Sequence, residues 1–390
     1  MFLNYKKSEN TVGLLTLGLG GFGIGLAELG IMGLLPNIAE SFSISESLAG
    51  YLVSGYALAV AVGAILIPLI FRKTERKKLL LGLIILFIIG NALSALSANY
   101  LMLLIGRIIA ALCHGAFFSV GSVVAAALVP ENKKSSAIAI MFAGLTVSNV
   151  VGTPLGTFLG QAAGWRITFW AITLIGVLTF IGITFFIQVT VTTEKDLQLS
   201  QEIIIFRKPQ VWLSTLVSIL TFGGLVGPYS YVAFILTKET HFQTSEVPWI
   251  LLVFGVGTLI GNFIGGKAAD HNLDQALLSI ILGMVVVLSI LFVIIHNQIL
   301  TIICMFLWGL IGYATAPGLQ TRLMNYAAEA PTLGSGVNIA ALNVGNAVGA
   351  WLGGLTIEAG FGAASPLGVG VILNIGALII LTISVFLNKK

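Results

Sequence analysis

Long apolar runs recur twelve times in this sequence and leave little chain between them. Each run is about 20 residues long, which is the length that an α-helix needs to cross the hydrocarbon core of a bilayer. Only 9% of the 390 residues are charged and 57% are hydrophobic, whereas soluble domains carry roughly 25% charged residues. The runs lack the alternation of barrel strands, so their backbone groups must be satisfied within helices. The sequence therefore predicts an all-α integral membrane protein with twelve spans, near 12–35, 47–70, 79–98, 101–129, 135–160, 167–189, 210–236, 248–268, 275–295, 299–320, 334–357 and 364–387.

Basic residues are distributed unevenly between the connecting segments. Arg166 and Lys238 fall on one side of the predicted spans, and Arg107 lies within a span. Because Lys and Arg are retained on the cytoplasmic side of a membrane, both termini are predicted to be cytoplasmic. The other sixteen of the nineteen basic residues then lie in cytoplasmic segments: Lys6, Lys7, Arg72, Lys73, Arg76, Lys77, Lys78, Lys133, Lys134, Lys195, Arg207, Lys208, Lys267, Arg322, Lys389 and Lys390.

Several classes of protein do not fit this pattern. Cys113 and Cys304 both lie in apolar runs, so neither a disulfide framework nor a metal cluster is indicated. No phosphate-binding loop of the Gly-x-x-x-x-Gly-Lys-Ser/Thr type is present, which argues against ATP as the energy source. No hydrolytic triad can be assembled, and the few charges do not suit a nucleic-acid partner. We expect no enzymatic activity, no metal and no cofactor, with membrane lipids and a small-molecule substrate as the partners.

The longest polar connection, 190–208, lies between the sixth and seventh spans. It divides the chain into a predicted N-terminal six-helix bundle (1–189), a cytoplasmic central loop (190–208) and a C-terminal six-helix bundle (209–390). Spans five and eleven occupy equivalent places and both carry glycines four residues apart, at 152, 156 and 160 and at 345, 349 and 353. Such stripes are either signs of the repeat or simple packing devices. Parallel six-helix repeats place a substrate site near the bilayer midplane, between the halves.

Three segments carry a family resemblance that extends over the whole chain. They are GIGLAELGIMGLLPNIAESFSIS at 23–45, GRIIAALCHGAFFSVGSVVAA at 106–126 and AGLTVSNVVGTPLGTFLGQAAGWRITFW at 143–170. They resemble the major facilitator superfamily, and within it the twelve-helix drug/proton antiporters of the branch that exports sugars, arabinose, purine nucleosides and chloramphenicol. The resemblance implies two pseudo-symmetric six-helix bundles, the proton as coupling ion, and a monomer in the cell membrane, the inner membrane of a bacterium.

The third segment resembles the antiporter motif of the fifth helix, with Gly144, Gly152, Pro154, Gly156 and Gly160 in place. Glycines at this spacing allow two helix backbones to approach closely. We expect the stripe at 152, 156 and 160 to seat the fifth helix against a neighbour in the other half of the chain. The sequence has Gly-Thr-Pro where the broader motif has Gly-Pro, which matches the sugar-exporter branch more than the multidrug branch.

The gating loop that the family carries after its second helix is degenerate in this chain. Arg72 stands where the family has aspartate, and only Arg76 and Lys77 of the motif remain, whereas the second half keeps an aspartate at Asp270. By resemblance these four residues form the cytoplasmic gating loops. The basic residues at 72–78 can be explained equally well without a gating role, by retention of positive charge on the cytoplasmic side and by contact with anionic lipid.

Ionisable residues inside spans are rare because a charge buried in lipid costs at least ~2.5–3.5 kcal/mol. Glu28 in the first span and Arg107 in the fourth are predicted to lie at nearly the same depth, where each lowers the cost of the other. His114 follows Arg107 by two helical turns and so projects from the same face, about 10 Å away along the axis. We predict that Glu28, Arg107 and His114 serve proton coupling. The alternatives are a structural ion pair for Arg107 and a cross-helix hydrogen bond for His114.

Neutral amides and aromatic rings in the later spans suit a hydroxylated or heteroaromatic ligand. The candidates for substrate binding are Asn149, Tyr229, Tyr231, Asn262, Trp308, Tyr313, Asn338 and Asn343. Interfacial anchoring for the rings and helix bridging for the amides are the alternatives. The leading hypothesis is a secondary transporter that exports small organic molecules, such as sugars, nucleosides or drugs, by proton antiport. A flippase for a lipid-linked substrate and a substrate/proton symporter of the same fold are the other readings.

Overall fold

The computed structural model describes residues 2–71, 73–130, 134–188, 203–328 and 331–388. Arg72 and most of the predicted central loop, 190–202, lie outside these ranges. Within them the chain forms fifteen α-helices joined by short turns: α1 Phe2–Leu29, α2 Leu35–Phe42, α3 Glu46–Ile70, α4 Arg76–Ala95, α5 Tyr100–Ala127, α6 Lys134–Val147, α7 Thr153–Ala163, α8 Trp165–Phe186, α9 Pro209–Tyr229, α10 Val232–Phe234, α11 Val247–His271, α12 Leu273–Ile294, α13 Gln298–Tyr326, α14 Pro331–Glu358 and α15 Ser365–Asn388.

The predicted fold class is confirmed, because every predicted span coincides with one long helix or with a broken pair. Eleven segments within the described ranges are long and apolar enough to cross a bilayer. The 28-residue helix α14 covers the remaining span. Polar residues begin several helices where the apolar runs predict a start. The side chains of Asn99 and Asn297, for example, accept hydrogen bonds from the backbone N–H groups of Met102 and Leu300, which satisfies donors that a helix start otherwise leaves free.

Three of the predicted spans are not continuous α-helices. The first, predicted near 12–35, breaks after Leu29 and resumes as a short 3-10 turn, Met32–Leu34, and α2. The fifth contains a π-helical turn at Ser148–Gly152, immediately before Pro154. The seventh ends in a second π-helical turn, Ile235–Glu239. Interruptions of this kind are frequent at functional sites because they redirect side chains and free backbone groups.

Residue contacts divide the chain into two compact units. The first comprises Met1–Ile31 and Ala59–Lys195. In it α1 packs on α6 and α8, and α4 packs on α5 and α8. The backbones of α4 and α5 come so close that a Cβ at Gly90 would overlap the backbone of Ala110. The helices of this unit are therefore seated by direct backbone approach, as the glycine-rich sequence indicates.

The second unit comprises Met32–Leu58 and Asp196–Lys390. Here α9 packs on α14 and α15, α11 packs on α13, and α12 packs on α13 and α15. A Cβ at Gly349 would overlap the backbone of Gly223, so the glycines of α14 serve close packing on α9. Residues 32–58, which precede the predicted central loop, cluster with this unit. The predicted domains 1–189 and 209–390 stay a prediction.

Candidate functional site

Glu28 lies in the last turn of α1, where the first span breaks. Its side chain is half-buried, and the residues on either side of it, Ala27 and Leu29, are buried. The backbone N–H of Gly30 still donates to Leu26 at 2.9 Å, and the α-helix ends at this turn. The carboxylate therefore sits beside a helix end whose last carbonyl groups lack helical partners.

Arg107 satisfies one of these carbonyl groups. This residue of α5 is 1% exposed, and its guanidinium donates a hydrogen bond to the backbone oxygen of Ala27. It also attracts the carboxylate of Glu28 electrostatically. A cation at a helix C-terminus stabilises it by about 0.3–1 kcal/mol, and by up to about 2 kcal/mol when partly buried. Arg107 thus forms a hydrogen bond with the end of α1 and also stabilises the negative charge of Glu28.

His114 lies two turns further along α5 and is 6% exposed. Its ring packs edge-on against Phe118, with the centroids 5.7 Å apart, and Phe118 stacks on Phe142 of α6 at 4.9 Å. His114 also interacts electrostatically with Arg107. The face of α5 that carries Arg107 and His114 is therefore buried, in agreement with the spacing of these two residues.

The antiporter motif packs against the same end of α1. A Cβ at Gly152 would lie 3.2 Å from the ring of Phe22 and one at Gly156 would lie 2.8 Å from Leu26, and a Cβ at Gly25 would lie 2.9 Å from the Cβ of Ser148. Gly144, one turn before the π-helical turn, would overlap the backbone oxygen of Gly18. The expectation that this stripe meets the other half is wrong for these positions. The close approach is to α1, where Gly144 lies against the backbone of Gly18 and the other two glycines leave room for side chains of α1.

An aromatic cluster lies in the second unit. Tyr229 stacks on Phe254 with the centroids 4.1 Å apart, and Trp308 packs edge-on to both rings at 5.8 Å. Tyr313 packs edge-on to Phe254 at 6.3 Å. Tyr229, Trp308 and Tyr313 are thus brought together from α9 and α13, although they are distant in sequence. The cluster carries phenol and indole groups but no ionised side chain.

Two asparagines of α14 have buried acceptor atoms. Asn343 donates its amide N–H to the backbone oxygen of Ile339 at 3.0 Å, which fixes the orientation of the amide. Its Oδ1 atom, and that of Asn346, are buried without a hydrogen-bond partner among the described residues. A buried acceptor without a partner costs about 1–3 kcal/mol. Asn343 and Asn346 are three residues apart and share one face of the helix.

Other predicted substrate residues have different surroundings. Asn338 accepts a hydrogen bond from Ser218 and donates one to Gln320, both at 2.7 Å, and so bridges three helices. Tyr231 is fully buried and donates to the backbone oxygen of Ala350 at 2.8 Å. Asn262 is exposed on α11, and Asn149 is half-buried in the π-helical turn of the first unit. None of these four belongs to the aromatic cluster.

The predicted gating residues do not form one network in the described part of the chain. Lys77 donates to the backbone oxygen of Thr184 at 3.0 Å and so caps the end of α8. Arg76 is half-buried at the start of α4. Asp270 is exposed in the last turn of α11 and makes no ion pair within the described ranges.

The structure contains an ion pair, Asp274–Arg322, that the sequence analysis did not predict. Asp274 lies four residues after the predicted gating residue Asp270. Arg322 of α13 is 1% exposed and donates to Asp274 of α12 at 3.1 Å and to Ser384 of α15 at 2.8 Å. The predicted tenth span ended at residue 320 and left Arg322 in a connecting segment, whereas the helix continues to Tyr326 and includes Arg322. The sequence feature that could have indicated the position of Asp274 is Asn272. Its side chain accepts a hydrogen bond from the backbone N–H of Gln275, and such a helix cap places Asp274 in the first turn of the helix.

The fold and these sites together define a polytopic helical membrane transporter. The chain belongs to the Major Facilitator Superfamily, whose sequence profile matches residues 17–334. The chain is 39% identical to the inner membrane transport protein YdhP of Escherichia coli K12 over 371 residues, which cover 95% of each chain. The predicted family is confirmed.

Two further similarities bear on the branch and on the fold. A probable sugar efflux transporter of Helicobacter pylori is 28% identical over 344 residues, 88% of this chain and 86% of that protein. The crystal structure of a D-xylose-proton symporter superposes with a TM-score of 0.74 at 15% identity, over 95% of this chain and 96% of that one. The second similarity demonstrates the fold alone.

Proposed function

We propose that this transporter exports small neutral organic molecules in exchange for protons. The observation that carries the proposal is the position of Glu28 at the break in the first span, beside a carbonyl group that Arg107 holds. A half-buried carboxylate with one cationic neighbour is a default candidate for ion coupling inside a membrane. The Helicobacter relative, whose name describes sugar efflux, supports the outward direction.

Arg107 couples the charge of Glu28 to the backbone. When Glu28 is ionised, the guanidinium is attracted both by the carboxylate and by the oxygen of Ala27. Protonation of Glu28 removes the first attraction, and the balance of forces on the last turn of α1 changes. A proton bound at Glu28 therefore alters the contacts of a broken helix, which is the kind of element that moves in alternating access.

The antiporter motif transmits this change to the fifth span. Gly152 and Gly156 lie against Phe22 and Leu26, which precede Glu28 by six and two residues. Because these side chains of α1 pack directly on the glycine positions, a shift of α1 changes its contacts with the fifth span. The π-helical turn at Ser148–Gly152 supplies a place where the fifth span can bend.

The substrate class follows from the groups in the second unit. The free Oδ1 atoms of Asn343 and Asn346 accept hydrogen bonds, so a matching ligand carries hydroxyl or N–H donors. The rings of Tyr229 and Trp308 are 3% and 0% exposed in this structure and would offer flat apolar surface to a ligand once the cluster opens. A neutral ring compound with several donors, such as a sugar or a nucleoside, satisfies both requirements.

The test is transport in proteoliposomes under an imposed pH gradient, with labelled sugars and nucleosides. We expect substrate to move against its gradient when protons flow the other way, and Glu28→Gln to abolish this uphill movement while substrate binding remains. Glu40→Gln is the matched control, because Glu40 is an exposed carboxylate on α2. Movement of substrate and protons in the same direction would establish symport instead. Wild-type uphill transport by Glu28→Gln would remove Glu28 as the coupling site.

A further inference from the structure

The π-helical turn Ser148–Gly152 lies near the middle of the fifth span. In this span α6 supplies 14 residues before the turn and α7 supplies 11 residues after it. At 1.5 Å per residue, the turn is roughly 15–20 Å from both ends of the span. At such a depth in a membrane, a polar backbone group that lacks a helical partner must be satisfied inside the protein.

One backbone carbonyl group of the turn has no helical donor. The N–H group of Thr153 donates to the backbone oxygen of Ser148, with the five-residue spacing of a π-helix. The next residue, Pro154, has no N–H group. The carbonyl group of Asn149 therefore finds a donor neither four nor five residues ahead, and its oxygen can accept a ligand.

Side-chain oxygens of the same turn are also unsatisfied. Ser148 is 0% exposed and Thr153 is 1% exposed, yet neither hydroxyl has a hydrogen-bond partner within the described ranges. Because Thr153 lies one π-helical turn after Ser148, the two side chains share a face of the helix. The Oδ1 atom of Asn149 is likewise buried without a partner in the described part of the chain. Each such buried group costs about 1–3 kcal/mol, so a ligand that satisfies them is favoured.

Thr157 illustrates how a helix normally satisfies such a hydroxyl group. It lies four residues after Thr153, is fully buried, and donates its hydroxyl to the backbone oxygen of Thr153 at 2.8 Å. A serine or threonine inside a membrane helix commonly makes this bond to the carbonyl group four residues earlier. The hydroxyl groups of Ser148 and Thr153 lack it, so the π-helical turn leaves them for another partner.

Two glycines leave a small space beside the Ser148 hydroxyl. A Cβ at Gly152 would lie 2.8 Å from this oxygen, and a Cβ at Gly25 of α1 would lie 3.1 Å from it. Both distances are too short for an ordinary contact between carbon and oxygen. They suit a cation better, because an ion as small as Ca²⁺ binds its oxygen ligands at about 2.3–2.6 Å.

The chemistry of these ligands selects the kind of cation. All of them are oxygen atoms, which bind hard cations in preference to transition metals. Sites for Ca²⁺ and Mg²⁺ rely on carboxylates, and the sequence from Ser148 to Thr153 contains none. Neutral oxygens at an interrupted membrane helix are the ligands that coordinate Na⁺ in secondary transporters. The set therefore fits a monovalent ion.

We propose that the π-helical turn binds an alkali-metal cation through the hydroxyl oxygens of Ser148 and Thr153 and through the Oδ1 and backbone oxygens of Asn149. The ion satisfies the oxygens that the turn leaves without partners, and it stabilises the bend of the fifth span where it packs on Gly25. The site does not depend on proton coupling at Glu28, and its test requires no transport.

Thermal unfolding of the full-length protein in detergent tests the site. NaCl, KCl and choline chloride are compared at constant ionic strength and pH, because choline is a monovalent cation too large for the turn. We expect Na⁺ or K⁺ to raise the unfolding temperature in a saturable way, since a ligand that binds only the folded state stabilises it. Comparison of the two salts identifies the ion. An equal unfolding temperature in all three salts would overturn the proposal.

Two variants test the ligands. Ser148→Ala and Thr153→Val each remove one oxygen without adding bulk, and in choline chloride they should unfold at the wild-type temperature or above, because an unsatisfied hydroxyl is lost. The cation concentration for the half-maximal rise should increase about ten-fold or more, the effect of losing one polar contact to a charged group. An unchanged cation response in both variants would overturn the proposal.

Thr157→Val is the matched control. It removes a buried hydroxyl that has a partner, so it should lower the unfolding temperature in all three salts and keep the wild-type cation response. A residue with a purely structural role behaves in this way. Should Ser148→Ala and Thr153→Val behave as Thr157→Val does, their hydroxyl groups are structural and the site is excluded.

Discussion

The guanidinium of Arg107 donates a hydrogen bond to the backbone oxygen of Ala27, the residue that precedes Glu28. This bond links the fourth span to the end of α1 through the main chain, so the arginine positions the carboxylate as well as neutralising it. A side chain that only neutralised Glu28 could be exchanged for lysine. One that also caps a helix needs the several N–H groups of the guanidinium.

Substitutions of Arg107 should therefore distinguish the effect of its positive charge from the effect of its hydrogen bond to the end of α1. Arg107→Ala leaves a carboxylate without its cationic neighbour and a carbonyl oxygen without its donor, and should cost about 3–5 kcal/mol of stability. Arg107→Lys keeps the charge but reaches only one of the two partners. This variant should therefore fold normally but transport poorly. Thermal unfolding in detergent, together with proteoliposome transport, measures both effects. Wild-type transport by Arg107→Lys would mean that the positive charge alone suffices.

The close approach of α6 to α1 can be tested with single methyl groups. A Cβ at Gly144 would overlap the backbone oxygen of Gly18, whereas a Cβ at Gly82 meets nothing within 4 Å. Gly144→Ala should destabilise the protein by about 1–3 kcal/mol or more, because the backbone of α1 cannot yield without moving the helix. Gly82→Ala, in α4, should stabilise it by up to about 1 kcal/mol. Equal unfolding temperatures for the two variants would contradict this packing.

The antiporter motif should affect transport through α1. A Cβ at Gly156 would lie 2.8 Å from the end of the Leu26 side chain, which can yield. Gly156→Val should therefore insert and fold but displace the last turn of α1 and slow proton-driven transport. Efflux assays under an imposed pH gradient provide the measurement. Wild-type rates in this variant would show that the contact with Leu26 has no part in coupling.

Two ion pairs of equal length should differ in strength because their burial differs. Asp274–Arg322 and Glu75–Lys78 both measure 3.1 Å, but the arginine side chain is 1% exposed and that of Lys78 is 75% exposed. Asp274→Ala should cost about 3 kcal/mol, since it leaves a buried cation whose remaining partners, Ser384 and Tyr326, are neutral hydroxyl groups. Lys78→Ala should change stability by no more than about 0.5 kcal/mol. Chemical unfolding of the two variants would show whether burial determines how much an ion pair contributes to stability.

Substitution of Asn338 should lower stability, whereas substitution of Asn343 should lower substrate affinity. Asn338→Ala removes hydrogen bonds to Ser218 and Gln320 and should lower stability by about 1–3 kcal/mol. Asn343→Ala removes an acceptor that lacks a partner in the described part of the chain, so it should weaken substrate binding with little loss of stability. Substrate-binding titrations and unfolding temperatures distinguish the two. An unchanged affinity in Asn343→Ala would exclude it from the substrate site.

The sequence by itself determined the twelve apolar spans, their approximate positions and the family, because both hydrophobic length and helix-start residues are local properties of the chain. It also indicated Glu28, Arg107 and His114 as candidate site residues, since an ionisable residue within an apolar run is visible without a structure. The pairing of Arg322 with Asp274 was missed because it joins the ends of two helices 48 residues apart, and no local pattern records such a contact.

Tertiary structure decided what each polar residue contacts. The amides of Asn338 and Asn343 are alike in sequence, yet one bridges three helices and the other keeps a free acceptor, because only Asn338 meets Ser218 and Gln320. The glycines of the antiporter motif predicted close packing but not its partner, which depends on where the backbone and side chains of α1 lie in the folded chain. The break after Leu29 was equally unpredictable, since the apolar run continues through it. Hydrophobicity fixes that a segment crosses the membrane, whereas contacts with neighbouring helices fix where its backbone departs from a helix.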